Sequence, residues 1–87
     1  MKEFLVETPH TKEECMAELD DLAKRQELLS RFTWGCMAGE HTGYAILEAD
    51  DERSARELVP PVVRSKARIH PVTRFTQDQI RSFHEKK

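Results

Sequence analysis

Glycine, cysteine and aromatic residues are scarce in this 87-residue chain, which has three glycines, two cysteines, one tryptophan and one tyrosine. Cys15 and Cys36 lack the close spacing of metal-binding or redox motifs, and a disulfide is not expected in a reducing cytoplasm. No stretch approaches the roughly 18 apolar residues of a membrane span. Residues 1 to 10 lack the basic start and long apolar core of a signal peptide. We therefore expect a cytoplasmic protein with no membrane partner.

Signatures of nucleotide-binding loops and serine hydrolases are also missing, which leaves those chemistries unsupported. The net charge is only −2, but residues 1 to 52 have a net charge of −8 and residues 53 to 87 one of +6. Such halves can complement each other within one fold or across a dimer. The basic run RSKAR (residues 64 to 68) offers nucleic-acid binding as the alternative, but no aromatic residue interleaves it. We expect no nucleic-acid partner.

The first half of the chain begins with a predicted strand and a predicted helix. An apolar run at residues 3 to 8 ends at Pro9 and is typical of a strand. Thr11 and Glu14 have the spacing of a capping box, which predicts a helix of about five turns from Thr11 to Leu29. The expected apolar stripe of this helix contains Cys15, Leu19, Leu22 and Leu29, widened by Met16 and Ala23.

A hairpin is predicted next, around the segment WGCMAGEHTGY at residues 34 to 44. From Phe32 the apolar period becomes two, which predicts a strand through Ala38 and an antiparallel return strand at residues 44 to 49. The large Trp34 then faces small residues of the return strand, Gly43 and Ala45. That arrangement either leaves room for a ligand or packs the tryptophan against the sheet.

Two further elements follow the hairpin. Asp50 or Asp51 is expected to cap a second helix that ends near Leu58, before two prolines. The last strand, residues 68 to 75, carries Pro71. Because proline has no backbone N–H to donate, it suits the edge of a sheet.

The predicted fold is a single α+β domain over residues 1–87, with the ferredoxin-like order β-α-β-β-α-β and a four-stranded antiparallel sheet. A C-terminal helix follows, capped by Thr76 and Gln79 and carrying Ile80 and Phe83, which are expected to dock on the body. The main helices cover one face of the sheet. The other face is bare and needs a partner.

Three segments carry a resemblance to known proteins: TWGCMAG (33 to 39), GYAILEADD (43 to 51) and IHPVTRF (69 to 75). Together they resemble the small dimeric α+β barrel proteins, which are ferredoxin-like and include muconolactone isomerase-like and nickel-binding bacterial families. The resemblance implies a homodimer with its bare sheets face to face and a small cavity between sheet and helices. In the nickel-binding families a histidine stands two residues after the tryptophan, and Cys36 takes that position here.

The hairpin is the predicted site, with Trp34, Cys36, His41 and Tyr44 as ligand-binding residues. Cys36 and His41 are the predicted metal ligands, because a thiolate and an imidazole suit Zn²⁺, Ni²⁺ or Cu ions. Two ligands are too few for a tetrahedral site. A third donor is expected from Glu40, Glu48, His10 or a second subunit.

A structural role is the alternative for each of these residues. Cys36 can be a small apolar filler and His41 a turn residue, while Cys15, five residues after His10, is interpreted as core. Two functions therefore stay open. One is a dimeric barrel that binds a small organic ligand or a transition metal, with isomerase-like or monooxygenase-like chemistry if it is an enzyme. The other is a non-enzymatic interaction module.

Overall fold

Residues 1–85 are described by the computed structural model, and the elements within them alternate between strands and helices. They are β1 (Lys2–Pro9), α1 (Lys12–Ala23), α2 (Gln26–Leu29), β2 (Phe32–Trp34), β3 (Thr42–Ala49), α3 (Glu52–Glu57), α4 (Pro61–Arg64), β4 (Arg68–Val72) and α5 (Gln77–Glu85). A short 3-10 turn, Cys36–Ala38, lies between β2 and β3. None of the helices in this part of the chain combines the length and the apolarity that crossing a bilayer requires.

The four strands form one antiparallel sheet in the order β2-β3-β1-β4. Strand β1 lies inside the sheet, with Val6 opposite Ala45 of β3 and Ile69 of β4. The predicted α+β class and four-stranded antiparallel sheet are confirmed, and the order is compatible with a ferredoxin-like plan. Pro71 lies in β4, an edge strand, where its missing N–H leaves no gap inside the sheet.

Alternation along the strands separates a buried face from an open one. The buried face packs against the helices, and its core contains Phe4, Val6, Leu22, Phe32, Ala45, Leu47, Ala49, Ala55, Val59, Val63, Ala67 and Ile69. On the open face Leu5 pairs with Ile46, which is 39% exposed. Apolar side chains thus occur on both faces, but within the single chain helices cover only one.

The predicted five-turn helix is two helices. Helix α1 ends at Ala23, and Arg25 has the non-helical angles φ −130 and ψ 75. The Arg25 guanidinium holds this bend, because it donates to Asp21 Oδ1 at 3.0 Å and to Leu58 O at 3.4 Å. The bend lets Leu28 pack against the core from α2.

The predicted apolar stripe of the first helix is also partly wrong. Met16 is 60% exposed and Ala23 is exposed, whereas Glu18 is fully buried between Cys15 and Leu22. The sequence pattern favoured apolar residues for the buried face of α1. The Glu18 carboxylate occupies the centre of that face because it contacts Thr8 on β1 and His10 directly after β1.

The second predicted strand is shorter than expected. It ends at Trp34, and the chain turns so that Gly35 N donates to Thr42 O at 3.0 Å. Cys36 and Ala38, predicted to lie on the strand, belong to the 3-10 turn. Gly39 closes that turn with φ 93, a left-handed angle that favours glycine.

Helix α5 begins as predicted, because Thr76 and Gln79 exchange both hydrogen bonds of a capping box. Its docking is not seen in the single chain, where Ile80 is 46% and Phe83 53% exposed. Phe83 meets only the neighbouring Phe75 ring, at 5.5 Å between centroids, among the aromatic contacts described. The radius of gyration is 15.6 Å, against about 12 Å for a compact chain of this length. The described chain is therefore more extended than a compact domain of its size.

Candidate metal centre

Three separate segments meet at one end of the sheet, and each is placed there by local sequence. His10 directly follows β1, and its backbone N–H donates to His41 O at 3.0 Å. Thr11 caps α1 through a capping box with Glu14, which puts Cys15 in the first turns of the helix. Cys36 comes from the 3-10 turn after β2.

The side chains of His10, Cys15 and Cys36 converge in this corner. His10 Nε2 lies 3.2 Å from Cys36 Sγ, and Cys36 Sγ lies 3.3 Å from Cys15 Sγ. The three ligand atoms all lie within 4.8 Å of one another. His10 and Cys15 are buried, whereas Cys36 is half-buried and faces the outside of the cluster.

A buried polar network holds the imidazole from behind. His10 Nδ1 lies 2.9 Å from Thr8 O and 2.9 Å from Glu18 Oε1. The Thr8 hydroxyl donates to Glu18 Oε2 at 2.7 Å. Because a carbonyl oxygen can only accept, the Nδ1 contact with Thr8 O places the hydrogen on Nδ1. In the neutral ring, Nε2 then presents its lone pair to Cys36.

Burial shapes the protonation of two groups in the corner. It raises the pKa of the Glu18 carboxyl, against the opposing effects of the Thr8 hydroxyl and His10. Burial also raises the pKa of the Cys15 thiol to about 11, with help from Cys36 and Glu18. Because this value lies well above 7, the free Cys15 thiol is protonated at neutral pH. Glu18 Oε1 has no hydrogen-bond donor aligned with it in the part of the chain that the structure describes.

Aromatic rings flank the cluster. The Trp34 ring lies 6.2 Å from the His10 ring and the His41 ring 6.0 Å from it, between centroids. Trp34 also stacks on Phe32 at 5.6 Å. A Cβ added at Gly43 would lie 2.9 Å from Trp34 Cζ3, so the tryptophan fills the space opposite this glycine. Packing, and not an empty cavity, is the outcome at that position.

The predicted site residues thus have different positions. Cys36 belongs to the cluster, Trp34 and the exposed His41 flank it, and Tyr44 lies on the open face of the sheet. The Tyr44 hydroxyl donates to Glu40 Oε1 at 3.0 Å, and this hydrogen bond raises the pKa of the tyrosine. Of the third donors considered, His10 is the one that joins Cys36.

Sequence reasoning missed two residues of this corner, Cys15 and Glu18. The spacing of His10 and Cys15 across a capped helix start was the available signal for the first. Glu18 follows Cys15 by three residues and precedes Leu22 by four, which places all three on one face of α1. A carboxylate on the face of a helix that also carries core residues was the signal for the second.

Fold and cluster together define an α+β protein with a buried histidine and two cysteines in contact. Comparison of the chain with protein-family models, with curated proteins and with solved structures finds no match.

Proposed function

We propose that the chain binds a transition-metal ion, with His10, Cys15 and Cys36 as its protein ligands. The observation that carries the proposal is the convergence of one imidazole nitrogen and two thiols within 4.8 Å. These donors come from three segments of the chain. A core built only for packing has no need to bring them this close together.

The geometry is close to that of a tetrahedral zinc site. Bonds of about 2.3 Å to sulfur and about 2.0 Å to nitrogen place two such ligands about 3.6 to 3.8 Å apart. The observed separations of 3.2 and 3.3 Å need an opening of about half an ångström. The ligand atoms of His10 and Cys15 lie within 4.8 Å of each other and need to approach by up to about 1 Å. Three protein ligands leave a fourth position for water or another small ligand.

Glu18 and Thr8 support the proposal from outside the ligand set. A metal-binding histidine usually donates its second ring N–H to a carboxylate or a backbone carbonyl, which fixes the ring and its tautomer. His10 Nδ1 lies 2.9 Å from Thr8 O, which accepts its hydrogen, and 2.9 Å from the Glu18 carboxylate beside it. Two sulfur donors and one imidazole suit Zn²⁺ and Cu⁺ better than Mg²⁺ or Ca²⁺, which prefer oxygen.

Calorimetric titration of the metal-free, fully reduced protein with Zn²⁺ tests this function. We expect one ion per chain, and Cys36→Ser should weaken binding by about tenfold or more, or about 1.4 kcal/mol. His41→Ala is the matched control. It removes an exposed imidazole that lies beside the cluster but is not one of the three proposed ligands. The affinity should therefore stay within about twofold, well short of the tenfold change, or about 1.4 kcal/mol, that is expected when a ligand is lost.

Two results would contradict the proposed metal site. One is a wild-type protein that binds neither Zn²⁺ nor Cu⁺ under reducing conditions. The other is an affinity that falls with His41→Ala and not with Cys36→Ser. Circular dichroism of each variant shows whether its fold is intact.

We further propose that the chain is a homodimer in which the open sheet face of one copy packs against that of another. Leu5 and Ile46 lie side by side on this face. They are part of the wall of a depression of about 440 Å³, which is lined by Leu5, Arg31, Thr33, Tyr44, Ala45 and Ile46. The apolar stripe of α5, with Ile80 and Phe83, is also uncovered in the single chain. A second copy would cover both surfaces.

Light scattering at micromolar concentration checks the dimer, and should give about twice the chain mass of 10.1 kDa. Ile46→Glu should shift the protein to the mass of one chain, because it places a charge at the centre of the interface. Met16→Glu is the control, since Met16 is exposed on α1 and away from the open face. A wild-type protein with the mass of one chain would refute the dimer.

A further inference from the structure

We propose that Cys36 and Cys15 are a reactive and a resolving cysteine, which a hydroperoxide oxidises to a disulfide within one chain. Their sulfur atoms are already in contact at 3.3 Å. A disulfide bond of about 2.05 Å requires an approach of little more than 1 Å. This inference concerns the metal-free protein and does not depend on metal binding.

The two cysteines differ in the way that such a pair requires. Cys36 is half-buried, lies in a short 3-10 turn and has His10 Nε2 at 3.2 Å. Cys15 is 9% exposed and sits in α1 beneath it. A small oxidant from solvent therefore reaches Cys36 first. The oxidised Cys36 sulfur then lies next to the Cys15 sulfur, which can displace the added oxygen and form the disulfide.

Imidazole and carboxylate are placed to assist the first step. His10 Nε2 can accept the hydrogen of the Cys36 thiol, while Nδ1 is held by Thr8 O and faces Glu18. A nucleophile in contact with a base, and a base oriented by a third group, is the general arrangement of an activated cysteine. The arrangement assigns the nucleophilic role to Cys36.

The chemistry balances with a hydroperoxide as the two-electron oxidant. The Cys36 sulfur attacks one peroxide oxygen, the O–O bond breaks, and a sulfenic acid forms. The thiol hydrogen passes through His10 to the departing oxygen, which leaves as water when the oxidant is hydrogen peroxide. The Cys15 sulfur then attacks the Cys36 sulfur, the S–O bond breaks, and the Cys15 hydrogen passes to the departing hydroxide, which leaves as a second water. Two thiols are oxidised and one peroxide is reduced to two waters.

Metal binding and oxidation compete for the same sulfur atoms. Coordinated sulfur has its lone pairs directed at the ion, and a disulfide removes two of the three ligands. A protein that holds metal should therefore resist the oxidant, and an oxidised protein should fail to bind metal. Reduction by a dithiol restores both thiols.

The experiment exposes the reduced full-length chain, freed of metal by a chelator, to one equivalent of hydrogen peroxide. Thiol titration should show the loss of both thiols, and the protein should run as one chain on a non-reducing gel. Peptide mapping should find residues 15 and 36 joined, with a mass lower by two hydrogen atoms. Met37 beside Cys36 is fully exposed and Met16 beside Cys15 is 60% exposed, and both would gain oxygen, so a background with Met16→Leu and Met37→Leu keeps the mass change clear.

Two serine variants separate the roles. Cys15→Ser should stop at the sulfenic acid, which a 1,3-dione reagent labels at Cys36. Cys36→Ser should lose its remaining thiol about tenfold more slowly than the wild type, because Cys15 is buried. Similar rates in the two variants, a disulfide between two chains, or both thiols surviving the oxidant would overturn the proposal. If the wild-type protein binds Zn²⁺ but, once freed of metal, keeps both thiols in the presence of peroxide, the redox proposal is refuted and the metal-binding proposal stands.

Discussion

Replacing Glu18 by alanine is expected to lower the free energy of unfolding by about 2 to 4 kcal/mol, because it leaves a buried space unfilled and a buried hydroxyl without its acceptor. Glu18 is fully buried, accepts from the Thr8 hydroxyl at 2.7 Å and lies 2.9 Å from His10 Nδ1. The variant leaves an unfilled space and a threonine hydroxyl without its acceptor. Urea unfolding followed by circular dichroism measures the loss, and Glu13→Ala, on the exposed side of the same helix, is the control.

The same replacement should weaken Zn²⁺ binding by about 10- to 100-fold, because the carboxylate behind a metal-binding histidine orients its ring. Glu18→Gln separates shape from charge. It keeps the volume and one oxygen that can accept from Thr8, so it should cost less stability than alanine. A Glu18→Ala protein as stable as Glu13→Ala, with unchanged metal affinity, would show that the network supports neither the fold nor the site.

The pH dependence of stability follows from the raised pKa of Glu18. Since the folded protein holds this proton more tightly than the unfolded chain does, the stabilising contribution is complete below the ordinary carboxyl pKa of about 4.3. It is lost as the pH rises through the higher folded value. Metal-free wild type should therefore lose stability relative to Glu18→Gln as the pH rises from about 4 towards neutrality. A constant difference between the two proteins over this range would contradict the assignment.

Gly43→Ala should destabilise the protein by about 2 to 3 kcal/mol, the cost of overfilling a packed core. The added Cβ would lie 2.6 Å from Thr8 Oγ1 and 2.9 Å from Trp34 Cζ3. Both neighbours are held in place, since Trp34 stacks on Phe32 and the Thr8 hydroxyl donates to Glu18. The methyl group therefore forces a shift in the sheet or in the polar network behind His10.

Gly39→Ala is a useful comparison for this prediction. No atom lies within 4 Å of a Cβ built at Gly39, but the φ angle of 93 makes any other residue strained there. Its cost of about 1 to 2 kcal/mol reports backbone strain without crowding. If Gly43→Ala costs clearly less than Gly39→Ala in the same urea titration, the contact between Trp34 and Gly43 is looser than the distances indicate.

Local signals in the sequence predicted much of the fold. The capping boxes at Thr11 and Thr76 and the cap at Asp51 are present with their hydrogen bonds. The facing of Trp34 and Gly43 across the hairpin is also confirmed. These features depend on residues close in sequence or on the two-residue period of a strand. Both can be evaluated without knowing how distant segments meet.

The candidate site was less accessible to prediction, because it depends on contacts between segments. Cys36 was identified, but Cys15 fits an apolar helix stripe as well as it fits a ligand set. Only the folded positions of α1 and of the 3-10 turn after β2 bring its sulfur next to that of Cys36. The burial of Glu18 likewise depends on Thr8 and His10. The periodicity of the sequence does not specify how close these two residues lie to α1. The bend at Arg25 depends on Leu58, 33 residues further along the chain.

The separation of the two cysteines along the chain has a consequence for how the protein opens. Any bond or shared ion between them closes a loop over 21 positions, which contains α2, β2 and the part of α1 that follows Cys15. Closing a loop of this length removes about 3 kcal/mol of freedom from the unfolded chain. The link between the two cysteines constrains this segment and not α3, α4 or β4. Amide hydrogens of α1 and β2 should therefore exchange with solvent more slowly when the cysteines are linked, while those of α3 and α4 change less.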